Sequence, residues 1–210
     1  MIIAIDGPAG SGKGTLARGL ADALNYAHLD TGKLYRCVGL AVLSIGKNPA
    51  DEEAALQQAK KLDLQDINNI DIMGDLAAGA ASKIARFQKV RDELLQLQKD
   101  FARNPPGDCK GAVIDGRDIG TVVCTDAEFK FFITASAEVR AERRHKELLA
   151  RDEPSIYARV LDDMLARDES DKTRSIAPLK PASDAKVIDT SELDADTVLA
   201  IALRTIKAGG

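Results

Sequence analysis

Met1-Ile-Ile-Ala-Ile-Asp-Gly-Pro-Ala-Gly-Ser-Gly-Lys-Gly-Thr15 is the stretch that decides the fold. A short apolar run from Ile2 to Ile5 stops at Asp6, and a glycine-rich loop occupies Gly7 to Gly12. Lys13 then opens a segment in which Leu16, Ala17, Leu20, Ala21 and Leu24 recur at helical spacing. The order is strand, phosphate loop, helix. Glycines at 7, 10 and 12 let backbone N–H groups converge on an anion, and the helix start adds unpaired N–H groups and the positive end of its dipole. The loop Gly7, Pro8, Ala9, Gly10, Ser11, Gly12, Lys13, Gly14, Thr15 is therefore expected to cradle the phosphates of a nucleoside triphosphate, with Lys13 on the outer ones. It departs from Gly-x-x-x-x-Gly-Lys-[Ser/Thr] at one point: Gly14 fills the hydroxyl position and Thr15 follows a residue later.

Outward from the loop, the periodicity predicts a helix from Lys13 to Leu24 and a brief strand at Ala27-His28-Leu29, ended by Asp30-Thr31-Gly32. A second helix runs from Leu34 to Ile45, and a third opens on the acidic turn Asp51-Glu-Glu and reaches Leu62. From Asp63 to Gly74 the pattern fails, and a small hairpin or an irregular excursion fits equally. Helical character returns at Leu76 to Ala85 and again from Val90 to Phe101, closed by Asn104-Pro-Pro-Gly107. Ala112 to Asp115, Phe129 to Ile133 and Ala185 to Asp189 read as three further strands. About five short apolar strands, each followed by a helix, predict an α/β fold: a parallel sheet covered on both faces. Ligands gather at the carboxyl ends of such strands, so residues 6–15, 30–36 and 115–118 are expected to share one cleft.

Between the last two strands, Glu138 to Arg174 is charged and helical, with a turn at Asp152-Glu-Pro-Ser155. Most of its arginines read as a solvated face laced with i,i+4 pairs such as Glu142 with Lys146. A few would serve as guanidinium groups around a transferring phosphoryl group, on an arm that closes over the site.

The whole chain sets bounds. Its 210 residues suggest one domain, and 45% apolar with 30% charged residues is an ordinary soluble composition. A net charge of −4 argues against bulk nucleic-acid binding or attraction to anionic membranes. Cys37, Cys109 and Cys124 are odd in number, widely spaced and without a zinc pattern, and read as reduced thiols. The first strand begins at residue 2, leaving no room for a basic leader, and no apolar run approaches spanning length. The expectation is a cytoplasmic, soluble protein.

Gly-Lys-Gly-Thr15 is the form associated with nucleoside monophosphate kinases. With it stand Leu29-Asp-Thr-Gly-Lys-Leu-Tyr-Arg36, Asp115-Gly-Arg-Asp-Ile-Gly-Thr-Val-Val123 and Arg167-Asp-Glu-Ser-Asp-Lys-Thr-Arg-Ser-Ile-Ala-Pro-Leu179. Together these blocks resemble the bacterial cytidylate kinases over nearly the full length. The resemblance implies a P-loop kinase core in a single domain, with a small monophosphate-binding insertion at about 36–105 and a helical lid at about 143–174.

The same resemblance places the acceptor phosphate on Thr31, Arg36, Arg117 and Arg174, the cytosine on Ser82, Arg91 and Asp118, and the sugar on Arg167 and Asp171. Lys13, Arg117, Arg144 and Arg174 are the implied catalytic groups, with Arg140 or Arg143 beside Arg144 as lid arginines. Taken singly, Arg36, Arg91 and Ser82 would read as surface or capping residues. The implied substrates are ATP with Mg²⁺ and CMP or dCMP. No direct metal ligand is legible, and Thr15 and Asp115 are candidate outer-sphere partners. A monomer with no nucleic-acid or membrane partner is expected.

Against the family pattern, Thr31 stands where a serine is expected, Asp63 to Ala78 is shorter than the inserted sheet of many members, and Ser170 and Lys172 replace positions often basic. A monophosphate is already an anionic nucleophile, so no general base is required, and His28 and His145 read as structural. Rival readings are a small-molecule P-loop kinase with another acceptor, such as a different nucleotide, shikimate or a coenzyme precursor, and a nucleotide-dependent switch. The switch is disfavoured by the lack of an Asn-Lys-x-Asp run and by more arginines than one triphosphate needs.

Overall fold

The structure, a computed structural model, describes residues 1–64, 67 and 74–209. Strands β1 (Ile2–Asp6), β2 (Ala27–Asp30), β3 (Ala112–Gly116), β4 (Phe129–Thr134) and β5 (Lys186–Asp189) form one sheet in the order β2-β3-β1-β4-β5. Every pairing is parallel. The strands are short and apolar because both faces are covered: Ile3 and Ile5 enter one core and Ala4 the other, as do Val113 against Ala112 and Ile114.

Helices α1 (Lys13–Leu24) and α8 (Ala195–Gly209) cover the first face through Leu16, Leu20, Val198 and Ala202. Gly19 admits the close approach: a Cβ there would lie 3.1 Å from Leu199. The second face is covered by α2 (Thr31–Ser44), α3 (Glu52–Ala59) and α5 (Gln88–Arg103), through Leu34, Val38, Val42, Ala55, Ala59, Val90 and Leu94. Helix α4 (Asp75–Ile84) packs on α2 where Ala80 meets Gly39. Burying these side chains contributes on the order of 1.5–3 kcal/mol for each large one.

The predicted strands and helices fall where the periodicity puts them, with three differences. Helix α2 begins at Thr31 directly after β2, with extended Asp30 as its N-cap, so the turn expected at Asp30 to Gly32 is the first helical turn. Helix α3 ends at Ala59, short of Leu62. The hairpin or irregular excursion expected at Asp63 to Gly74 lies largely outside the described residues.

Helices α6 (Ala137–Leu149) and α7 (Tyr157–Thr173) pack on each other above the sheet's carboxyl edge. The turn between them holds Asp152 at φ +57°, and the i,i+4 pair Glu142–Lys146 forms at 2.7 Å on the exposed face of α6. Among the described residues no helix is long and apolar enough to cross a membrane, and Cys37 and Cys124 are buried.

Candidate functional site

The loop after β1 takes the shape its glycines permit. Gly10 and Gly12 have φ of +73° and +90°, and a Cβ on Gly7 would stand 2.1 Å from the carbonyl oxygen of Ile133. Lys13 opens α1 half-buried, its ammonium donating to the Pro8 carbonyl at 3.4 Å. Burial, then the charge of Arg117, push its pKa down to about 7, while Asp115 and Asp30 pull the other way.

Three further segments meet this loop at the carboxyl edge. After β3 the chain doubles back through Gly116, Arg117 and Asp118 into a π-helical turn at Ile119–Val123. A Cβ on Gly116 would lie 2.5 Å from the Thr31 hydroxyl and 2.8 Å from Ile119, so the doubling back requires glycine. Arg117 Nε donates to Asp171 on α7 at 2.9 Å. Burial raises the Asp171 carboxyl, but Arg117, joined by Arg167 and Arg174, outweighs it and holds the pKa below the usual value. Asp118 is buried, accepts from Arg91 on α5, and lies 4.0 Å from Arg174 at the end of α7. The Arg91 guanidinium rests 5.8 Å over the ring of Tyr35.

Helix α7 presents one face to this cleft, since Met164, Arg167, Asp171 and Arg174 recur at helical spacing. Met164 touches the loop at Gly10. Among the described residues, Arg167 and Arg174 each keep a buried N–H without a hydrogen-bond partner, Nε in the first and Nη2 in the second. Burial and then Arg117 lower the Arg167 pKa to about 10, and Arg36 on α2 adds to that repulsion. Arg36, Arg117 and Arg167 thus share one electrostatic neighbourhood with Lys13, and Arg174 borders it.

The other residues singled out from sequence fall as follows. Thr31 is buried and donates its hydroxyl proton to the Asp115 carbonyl at 2.9 Å, while the Asp115 carboxylate meets His28 Nε2 at 2.7 Å. Ser82 lies half-buried on α4. Thr15 is exposed and accepts from Arg18 at 3.5 Å. Arg144 pairs along its own helix with Glu147 at 3.0 Å.

Arg140 corrects the expectation of a lid arginine. Its Nε donates to the Ala135 carbonyl at 2.9 Å, Nη1 to Ala9 at 3.2 Å and to Asp168 at 3.1 Å, and Nη2 to Asp168 at 2.5 Å. With these donors bonded and the side chain buried, it clamps α7 to the loop and to the end of β4. Arg143 is held by the Thr190 hydroxyl and carbonyl at 3.0 and 2.6 Å.

Sequence reading missed Asp6, Asp168 and Thr190. Asp6 ends a buried strand, and an acid there requires a partner; that signal was available. Asp168 and Thr190 find theirs 28 and 47 positions away, which no local pattern reveals.

A parallel sheet, a glycine loop opening a helix at Lys13, and buried guanidinium groups on a helical arm define a P-loop kinase. The cytidylate kinase family model matches residues 3–208. The chain belongs to the cytidylate kinase family. It is 55% identical to the cytidylate kinase of Paramagnetospirillum magneticum over 205 residues, 98% of this chain and 97% of that one. It is 53% identical to that of Rhodospirillum rubrum over 203 residues, 97% and 95% of the two chains. Two solved structures share the fold at low identity. An uncharacterized protein from Eubacterium ventriosum matches with TM-score 0.59 at 16% identity over 99% of this chain and 98% of its own. A sugar kinase from Janibacter matches with TM-score 0.51 at 14% identity over 98% and 94%.

Proposed function

We propose that the protein transfers the γ-phosphoryl group of Mg·ATP to CMP, and to dCMP, giving the nucleoside diphosphate and ADP. The observation that carries this reading is the surplus of buried cation opposite the loop. Arg117 and Arg167 act on Lys13, and Arg174 adjoins them through Asp171; Asp171 meets Arg117, Asp115 and Asp30 offset part of the Lys13 charge, and Asp118 is engaged by Arg91. Such a surplus suits a phosphate dianion beside a triphosphate.

The loop amides and Lys13 hold the donor phosphates. The arginines hold the acceptor in line and neutralise charge spread over the transferring group. The N-terminus of α2 at Thr31 adds helix N–H groups on the acceptor side, while the Thr31 hydroxyl itself faces Asp115. Arg91 and Asp118, with Ser82 nearby in sequence to Arg91, supply donors and an acceptor for the cytosine edge; Asp171 and Arg167 take the sugar. The acceptor phosphate is already anionic, so no side chain need remove a proton. Residues 36–105 act as the monophosphate-binding insertion and 143–174 as the lid, which excludes water when it closes over both nucleotides.

The donor set fits Mg²⁺ held mostly by phosphate oxygens and water. Among the described residues no group of three His, Cys, Asp or Glu could cage a metal, and the Asp115 carboxylate lies 4.0 Å from the place of a Cβ on Gly14. Asp115 and Thr15 would meet its water shell, and the ion would supply charge neutralisation between donor phosphates.

Purified protein with Mg·ATP should form ADP rapidly with CMP and dCMP, slowly with UMP, and not with AMP or GMP. ADP release with AMP or without acceptor, and none with CMP, would overturn the reading.

A further inference from the structure

Asp6 joins the two halves of the site, and neither the phosphate loop nor the base-reading groups include it. It is the last residue of β1, it is only 3% exposed, and Gly7 follows it directly. Across the sheet its partner in register is Gly116, the residue before Arg117. Beyond Gly116 the chain folds back over the strand ends, which removes the next amides from the ladder. The Asp6 carboxylate takes two of them: Ile119 N–H at 2.7 Å on one oxygen and Gly120 N–H at 2.8 Å on the other.

Those amides belong to the turn whose lead-in residues are Arg117 and Asp118, and its bonds start from the Asp118 carbonyl, which accepts from Val122 at 2.8 Å. The Asp6 side chain makes no ion pair among the described residues, so a carboxylate has been buried chiefly against backbone N–H dipoles, with Arg117 acting on it only through space. Burial without a partner cation is an expensive way to fill a core position, where an asparagine or an apolar residue would cost less. The geometry explains the choice, because only a carboxylate offers acceptors on both oxygens toward two adjacent N–H groups.

We infer that Asp6 is a positioning residue which fixes the Gly116–Asp118 turn against the end of β1, and so sets Arg117 and Asp118 relative to the phosphate loop. The inference rests on the cytidylate-kinase reading for its substrate. The Asp6 carboxylate is taken up by two backbone N–H groups. It acts through Ile119 and Gly120 on where Arg117 and Asp118 stand.

The test is Asp6→Asn, which keeps size and shape but turns an amide donor toward one of the two N–H groups. Rates are normalised to folded protein by circular dichroism, with CMP, UMP and ATP varied separately. Expected are a fall in kcat/KM for CMP of about tenfold or more, a KM for ATP within about threefold of wild type, and a smaller preference for CMP over UMP. Equal losses for both substrates, or a lower melting temperature with unchanged kinetics per folded molecule, would overturn the inference. Wild-type turnover of CMP, measured alongside, tests the parent reading separately.

If Asp6→Asn does not fold, wild-type protein gives the answer by NMR. Burial pushes the Asp6 carboxyl up to about 6, with Asp118 raising it slightly and Arg117 opposing. Cys124, which also senses Asp6, stays neutral across that range because burial pushes its thiol up to about 11. The Ile119 and Gly120 amide resonances should titrate near pH 6, with those of Arg117 and Asp118 moving at the same midpoint. Arg117 and Asp118 resonances that ignore the transition would overturn the inference.

Discussion

Lys13 carries a prediction at the scale of a single side chain. Its ordinary pKa near 10.5 falls to about 7 because burial and Arg117 disfavour the ammonium. A triphosphate reverses that balance by placing negative charge on the amine, which raises the pKa again. At pH 8 Lys13 of the free protein is therefore mostly neutral, and binding ATP draws in a proton. Calorimetric titrations in two buffers of different ionisation enthalpy should show uptake approaching one proton, largely lost in Lys13→Ala. Proton release, or uptake unchanged in the variant, would contradict the assignment. Asp118 has a different signature. Asp118→Ala removes the acceptor that Arg91 orients, so the preference for CMP over UMP should shrink by about tenfold while the KM for ATP stays within about twofold. Equal loss with every acceptor would remove Asp118 as the base reader.

At the scale of elements, the link between α6 and α7 decides whether the arm is rigid. Arg140 and Asp168 form a buried two-point pair, and Arg140 also reaches Ala135 and Ala9. Arg140→Ala would strand the Asp168 carboxylate and two carbonyls, at a cost of about 3–5 kcal/mol in unfolding free energy read by denaturant titration. The same variant should weaken CMP turnover, since Arg167, Asp171 and Arg174 ride on the helix it holds. The exposed pair on α6 is the contrast: Glu142→Ala should leave the denaturation midpoint unmoved. A midpoint equally unmoved by Arg140→Ala would show that the clamp does not hold α7.

Elements also mark what the sequence could and could not disclose. The strands were legible because a sheet covered on both faces leaves short apolar runs ending in polar residues, as at Ile5-Asp6 and Ile114-Asp115. Helix α7 was legible as the second part of the charged helical region beyond the turn at Asp152 to Ser155, and its reading as a site element came from the family's arginine and aspartate block. The role of Arg140 was not, because membership of a buried pair depends on a carboxylate on another helix. Asp6 was half legible: an acid at the end of a buried strand signals a partner without naming it. Thr31 was singled out as a hydrogen-bond donor to the acceptor phosphate, yet its proton goes to the Asp115 carbonyl, a bond from the start of α2 to β3 that only the register of β2 with β3 reveals.

At the scale of the whole molecule, net charge and local charge make opposite predictions. The chain carries −4 overall, so a nucleotide treated as meeting a uniform sphere is repelled, and added salt should speed association. The carboxyl edge of the sheet instead gathers Lys13, Arg36, Arg117, Arg167 and Arg174 in a partly buried cleft, where low-dielectric walls concentrate the field. If the cleft governs encounter, salt slows association. Raising ionic strength from about 0.05 to about 0.5 M shortens the screening length about threefold and should lower the association rate of ATP by about tenfold. The chain has no tryptophan, so the measurement calls for a fluorescent ribose-labelled ATP followed by stopped flow across a potassium chloride series. The dissociation rate should change less, because the bound phosphates lie inside the cations and are poorly screened. A rate that rises with salt would mean that the acidic exterior, rather than the arginine cleft, sets the approach of the nucleotide.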